Sequence, residues 1–284
     1  MSSNKPAFVL IHGAWHAGHS WHKLVPLLRE AGYKVHAPSL PGAGENAQSP
    51  DAFDKQPFDP MAFSTEPSPN AVVTQDERTA AIVDLVRQAS EGGTRKVVLV
   101  GHSMGGVTIS PVAEAVPELL HAVVYLTAFM LAPGLPAIAV IQDAKMAQAL
   151  VPQLFMADPE QVGALRINVA SGDPAYLQVL KSAFYEDVDD AEFGAFIKSL
   201  HCDEPVSVAV TPSPVTAAKF GTVPRHYIRC LEDRAITADG QNMMIESMDS
   251  AIGGKTMVHD LKSSHSAFLS QPEALAEILR GISG

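Results

Sequence analysis

Short apolar runs alternate along the chain with stretches whose apolar residues recur three and four positions apart. Residues 8–11 (Phe-Val-Leu-Ile) form an uninterrupted apolar run that stops at His12-Gly13. A run of that length suits a strand buried on both faces. Trp21, Leu24, Val25, Leu27 and Leu28 then fall at helical spacing within residues 20–31, and Gly32 supplies a C-cap. A second strand is expected at 33–40, closed by Pro41-Gly42, a helix at 76–89 and a strand at 96–100. That strand runs into Gly101-His102-Ser103-Met104-Gly105, followed by a helix to about 116. A strand at 121–127 comes next, and then the alternation breaks. Residues 133–215 read as helices and loops, with 143–154, 159–168 and 190–200 the better helical stretches. The alternation resumes with strand 225–231, helix 238–249, strand 255–261 and helix 271–282.

Strands separated by helices imply an α/β fold, a mainly parallel, doubly wound sheet covered on both faces. The break in the middle predicts an inserted, mostly helical cap. The expected division is a core of residues 1–132 and 216–284 with the cap at 133–215. Residues 43–75 are polar, rich in Pro, Ser, Asp and Ala, and weakly periodic, so they are expected to form a long excursion of the functional or mobile kind.

Composition narrows the function by exclusion. The 284 residues suit one sizeable domain, and 46% hydrophobic with 18% charged residues is ordinary for a globular chain. The formal net charge is −11 and no Lys/Arg cluster occurs, which argues against nucleic acid and anionic membrane as partners. No apolar stretch approaches the roughly 20 residues of a membrane helix. The N-terminal apolar run is too short for a signal-peptide core, so the cytoplasm is the expected location. Cys202 and Cys230 are expected to be free thiols. A homodimer is left open.

The chemistry-bearing residues stand where the alternation ends its strands. Gly-x-Ser-x-Gly between a strand and a helix is the setting of a nucleophile elbow, which makes Ser103 the candidate nucleophile. A serine hydroxyl needs a base, and the base needs an orienting acid. His265 follows the strand at 255–261 and is the candidate base. Asp233 follows the strand at 225–231 and is the candidate acid, with Glu232 its nearest rival and Asp239 and Asp260 behind. Two backbone donors must hold the oxyanion. Met104, next after the nucleophile, is one; Ala14, in the loop after the first strand, is the other. Gly13, Trp15, His102, Phe129, Met130 and Ser266 are placed in the substrate pocket, and Leu131, Met146, Leu150, Leu154, Phe155 and Met156 lie where the cap would roof it. The histidines at 12, 16, 19 and 22 lack a completing carboxylate or cysteine at metal spacing, so no metal and no organic cofactor are expected.

Four segments together resemble the plant methylesterase and hydroxynitrile lyase branch of the α/β-hydrolases and related bacterial esterases. They are His12-Gly13-Ala14-Trp15-His16-Ala17-Gly18, the elbow at 101–106, Leu231-Glu232-Asp233-Arg234, and Ser264-His265-Ser266-Ala267-Phe268-Leu269-Ser270-Gln271-Pro272. The resemblance implies the α/β-hydrolase fold, Ser103, Asp233 and His265 as triad, and Ala14 and Met104 as oxyanion donors. The lyases of that branch carry Thr after the first-loop His and Lys after the catalytic His. Here Gly13 and Ser266 stand there, and a neutral serine cannot stabilise departing cyanide. The expectation is therefore a serine carboxylesterase acting on a small or medium hydrophobic ester. Non-hydrolytic chemistry on the same fold and a non-catalytic small-molecule receptor are the competing readings.

Overall fold

A computed structural model of the chain describes residues 5–284. Six strands form one parallel sheet: β1 (Ala7–Ile11), β2 (Val35–His36), β3 (Val97–Ser103), β4 (Leu120–Ala128), β7 (Arg225–Cys230) and β8 (Met257–Leu261). Their order is β2-β1-β3-β4-β7-β8, every pairing parallel. Alternate residues of the inner strands feed two cores. Phe8, Leu10, Val98, Val100, Val124 and Ile228 pack on one face. Val9, Ile11, Val97, Leu99, Tyr125 and Tyr227 pack on the other. Burial on both faces is why these strands read as continuous apolar runs rather than alternating ones.

Between β4 and β7 lies the cap. It is mostly helical, as expected, but it also holds an antiparallel pair, β5 (Ala164–Arg166) with β6 (Asp203–Pro205). This corrects the single helix expected at 159–168: Pro159–Val162 makes one turn, and Gly163 in the left-handed region (φ 75°) ends it. The helix expected at 143–154 is two separate 3₁₀ turns, Ala144–Met146 and Val151–Leu154, the second opened by Pro152 in its first turn. A helix beyond those expected, Pro174–Phe184, carries Leu177, Leu180 and Phe184 at helical spacing, and its start is set by the Asp173 carboxylate, which accepts the Ala175 N–H at 2.9 Å, and by Pro174 in the first turn. The strand expected at 33–40 shrinks to β2, because Pro38 has no N–H for the ladder and the Leu40 N–H donates instead to His12 Nε2 at 3.0 Å.

The excursion at 43–75 is not loose. Its short helices Asp51–Asp54 and Pro60–Thr65 pack under the cap. Arg166 of β5 donates to the Phe63 and Glu66 carbonyls at 2.5 and 2.7 Å and grips the Asp203 carboxylate of β6 with two 2.7 Å bonds. Both charged side chains are fully buried. Arg166→Ala would strand the Asp203 carboxylate in the interior, and breaking such a pair costs about 3–5 kcal/mol. Urea unfolding of that variant is expected to show a loss in this range; a loss below about 1 kcal/mol would mean the pair is not what joins the excursion to the cap. Cys202 and Cys230 are both free and buried. Among the described residues no helix is long and apolar enough to cross a membrane.

Candidate active site

The ends of β1, β3, β7 and β8 converge on one site. At the end of β3, Ser103 takes φ 53°, a left-handed conformation that costs a non-glycine residue energy and throws the side chain out of the turn. The turn is tight against the loop after β1. A Cβ on Gly105 would lie 2.6 Å from the His12 carbonyl oxygen, and a Cβ on Gly13 would lie 2.7 Å from Ser103 Cβ. Neither position tolerates a side chain, so glycines at both are what let the two loops touch. Met104 caps the helix Gly105–Ala115 at its N-terminus, where backbone N–H groups have no intrahelical acceptor and negative charge is favoured.

Asp233, after β7, and His265, after β8, are both buried and meet directly: His265 Nδ1 lies 2.7 Å from Asp233 Oδ2. The same oxygen accepts the Thr127 hydroxyl, while Oδ1 accepts the N–H groups of Ala235 and Ile236 at 2.7 and 2.9 Å. A carboxylate can only accept, so His265 carries its proton on Nδ1 and presents Nε2 as the acceptor. His265 Nε2 is buried and has no hydrogen-bond partner among the described residues. Glu232, the rival acid, is turned away and half-exposed, 3.8 Å from Lys262 Nζ. Asp260 is bound by Arg229 instead.

The loop after β1 is held by two neutral histidines. Leu40 N–H donates to His12 Nε2, so His12 must donate from Nδ1 to the Gly13 carbonyl at 2.8 Å. His16 donates from Nδ1 to the Ala14 carbonyl at 2.7 Å and accepts the Tyr185 hydroxyl at Nε2, also at 2.7 Å. Burial pushes the His12 pKa well below its ordinary value and takes His16 down to about 3, against the opposing pull of the carbonyl each one contacts. Their ring nitrogens are thus consumed in positioning the loop. Among the described residues, no group of three or more His, Cys, Asp or Glu side chains could hold a metal ion. Trp15 sits at φ 61°, with its indole N–H on the Leu165 carbonyl of β5 at 2.8 Å.

Ala14, Trp15, Ser103, Met104 and Phe129 form the floor of a cavity of about 40 Å³. The cap roofs it with Ile141, Met146, Phe155, Leu165 and Phe184, and Ala235 and Ile236 close one side. No ionisable side chain lines it. At about 10–15 Å³ per water this space holds only a few solvent molecules. Four residues expected in the pocket do not line it. Met130 lies fully buried in the core on the opposite face of the sheet, because it follows Phe129 by one residue and points the other way. His102 donates from Nε2 to the His265 carbonyl at 3.0 Å and packs edge-on against Phe268. Gly13 offers only backbone, pressed on Ser103. Ser266, next to His265 in the chain, is fully buried. Conversely Thr127, Leu165 and Phe184 carry no mark in the sequence. Thr127 reaches Asp233 only because it adopts φ 36° at the end of β4.

The chain belongs to the alpha/beta hydrolase family, whose model matches residues 8–278. Within that family it falls in the plant methylesterase branch. It is 28% identical to a pyrethroid hydrolase of Sphingobium wenxiniae over 95% of this chain and 85% of that protein. Methylesterase 2 of Arabidopsis thaliana is 26% identical over 98% of this chain and 96% of its own length. The crystal structure of a pyrethroid hydrolase from Sphingobium faniae superposes with a TM-score of 0.73 at 25% identity, covering 98% of this chain and 97% of that one.

Proposed function

We propose that the protein is a serine carboxylesterase that hydrolyses a hydrophobic ester through an acyl-enzyme. The observation that carries this reading is the Asp233–His265 pair, which fixes the imidazole tautomer and leaves a buried, unpartnered Nε2 on a loop joined to the Ser103 elbow by the His102–His265 carbonyl bond. Hydrolytic relatives, a pyrethroid hydrolase and plant methylesterases, support ester cleavage on this scaffold. The apolar lining of the cavity supports a hydrophobic acyl or alcohol group.

In this mechanism Ser103 Oγ attacks the ester carbonyl carbon as His265 Nε2 takes its proton. Asp233 holds the ring and stabilises the imidazolium without itself taking the proton. The tetrahedral oxyanion is received by the N–H groups of Ala14 and Met104. His265 then protonates the leaving alkoxide, freeing the alcohol. Water attacks the acyl-enzyme with His265 again as base, and release of the acid restores Ser103.

Titration with a fluorophosphonate tests the reading directly. One equivalent is expected to bond to Ser103, with loss of p-nitrophenyl ester turnover in proportion to labelling. Turnover that persists in fully labelled protein, or a label found elsewhere, would exclude Ser103 as nucleophile.

A further inference from the structure

Three consecutive residues behind the helix Pro174–Phe184 each reach a different loop of the site. Tyr185 is fully buried, and its hydroxyl donates to His16, which in turn holds the Ala14 carbonyl. Glu186 lies 4.0 Å from Arg234, the residue after Asp233. Asp187 accepts the Ser264 N–H and the Ser263 hydroxyl at 3.0 Å each, and the Ser264 hydroxyl besides. Ser264 immediately precedes His265. The residue before the trio, Phe184, packs its ring 5.5 Å from that of His265 and lines the cavity. The turn is internally braced by the Val188 N–H on the Tyr185 carbonyl at 3.0 Å.

We propose that residues 185–187 fasten the cap to the catalytic loops, with Tyr185 and Asp187 acting as positioning residues for the oxyanion donor Ala14 and the base His265. The proposal rests on the esterase reading above. The Glu186–Arg234 contact is half-exposed and adds little, as surface ion pairs do. The other two are built differently. The Ala14 N–H shares its planar peptide with the Gly13 carbonyl, which accepts the His16 backbone N–H at 3.4 Å and His12 Nδ1 at 2.8 Å, so His16 holds the peptides on both sides of Ala14, one by its N–H and the other by its ring. His16 can hold the Ala14 carbonyl from Nδ1 only while its own Nε2 is satisfied as an acceptor, which is what the Tyr185 hydroxyl does. Asp187 makes three hydrogen bonds to the two residues before His265. Burial opposes its ionisation, but these bonds outweigh it and hold the carboxyl below the ordinary range.

The test measures kcat per fluorophosphonate-titrated site, KM for a p-nitrophenyl ester and Tm, in wild type, Tyr185→Phe, Asp187→Asn and the double variant. Each single variant is expected to lose about tenfold in kcat per titrated site with KM within about threefold, because the transition state, not ground-state binding, depends on the donor and base positions. The two act on separate loops, so the double variant is expected to lose about a hundredfold. Loss of stability alone would lower the titratable fraction and leave kcat per site unchanged. Values within twofold of wild type in folded variants, or a rise in KM with unchanged kcat, overturn the proposal. Tyr185→Phe removes only a hydroxyl and carries the test alone if the Asp187 variant fails to fold. A wild type that neither labels nor turns over ester overturns the esterase reading and this inference with it; an active wild type with unaffected variants overturns this inference only.

Discussion

Ser103→Ala and His265→Ala are each expected to lower kcat by about 10⁶-fold, Asp233→Asn by about 10⁴-fold, and the Ser103→Ala/His265→Ala double variant by no more than either single change. The first two remove the nucleophile or its base, and each is useless without the other, so their effects do not multiply. The Asp233→Asn case follows from the bonds around that side chain. The N–H groups of Ala235 and Ile236 both point at Oδ1, so the amide of the variant must place its carbonyl oxygen there. Its NH₂ then faces His265 Nδ1, which has to become an acceptor and moves its proton to Nε2. The base is left in the tautomer that cannot take a proton from Ser103, with the geometry otherwise intact. The Thr127 hydroxyl donates to Oδ2, the oxygen that the NH₂ replaces, so it must give up that bond as well. Steady-state rates with a p-nitrophenyl ester check the series. An Asp233→Asn variant within tenfold of wild type would show that another group orients His265, and a double variant far worse than the singles would show that Ser103 and His265 act independently.

The part of this site that could be read from the sequence is the part that lies at strand ends. β1, β3 and β4 are apolar runs because they are buried on both faces, whereas β7 (RHYIRC) and the exposed edge strand β8 (MVHDL) are mixed in sequence and are placed by the alternation with helices; the residues that follow these strands are ordered by the chain order of the motifs. Ser103, Asp233, His265, Ala14 and Met104 stand in that category, and the structure brings the loops that bear them together. The pocket was much less legible. Phe129 and Met130 are adjacent and equally apolar, yet they face opposite sides of the sheet, a distinction that needs the exact register of β4 beyond its last residue. In the cap, apolar periodicity competes with polar burial. Arg166 looks like a solvated helix residue in the 159–168 stretch, but its charge is neutralised by Asp203, 37 positions away, and the segment becomes a strand. The same long-range character hides Tyr185 and Asp187, whose partners lie 169 and about 77 residues distant. His12 and His16 raised the question of a metal because spacing alone does not show which nitrogens backbone groups have already taken.

Those histidines set the second large effect, an acid-induced loss of stability. His12, His16 and His102 are all but fully buried, and burial pushes each below the ordinary value of 6.5, His16 to about 3. In the unfolded chain they titrate near 6.5. Between that value and the folded pKa the unfolded state binds more protons, so stability rises with pH there and falls as pH drops. The contribution is fully present above the unfolded pKa and is lost progressively below it, down to about pH 3 for His16. Each such group costs about 1.4 kcal/mol one unit below its unfolded pKa, so the three together remove about 4 kcal/mol at pH 5.5. That is a large share of the ~5–15 kcal/mol that holds a domain together. His201, also pushed by burial to about 3, with neither ring nitrogen partnered, acts in the same direction. Tm is therefore expected to fall by about 10 °C between pH 7.5 and 5.5. Esterase activity is expected to fail along the same curve, because protonated His12 would set an N–H against the Leu40 N–H and protonated His16 could no longer accept from Tyr185. A Tm that stays within about 2 °C across that range would mean these rings charge without cost inside the fold. The oxyanion loop would then be held by something other than their neutral tautomers.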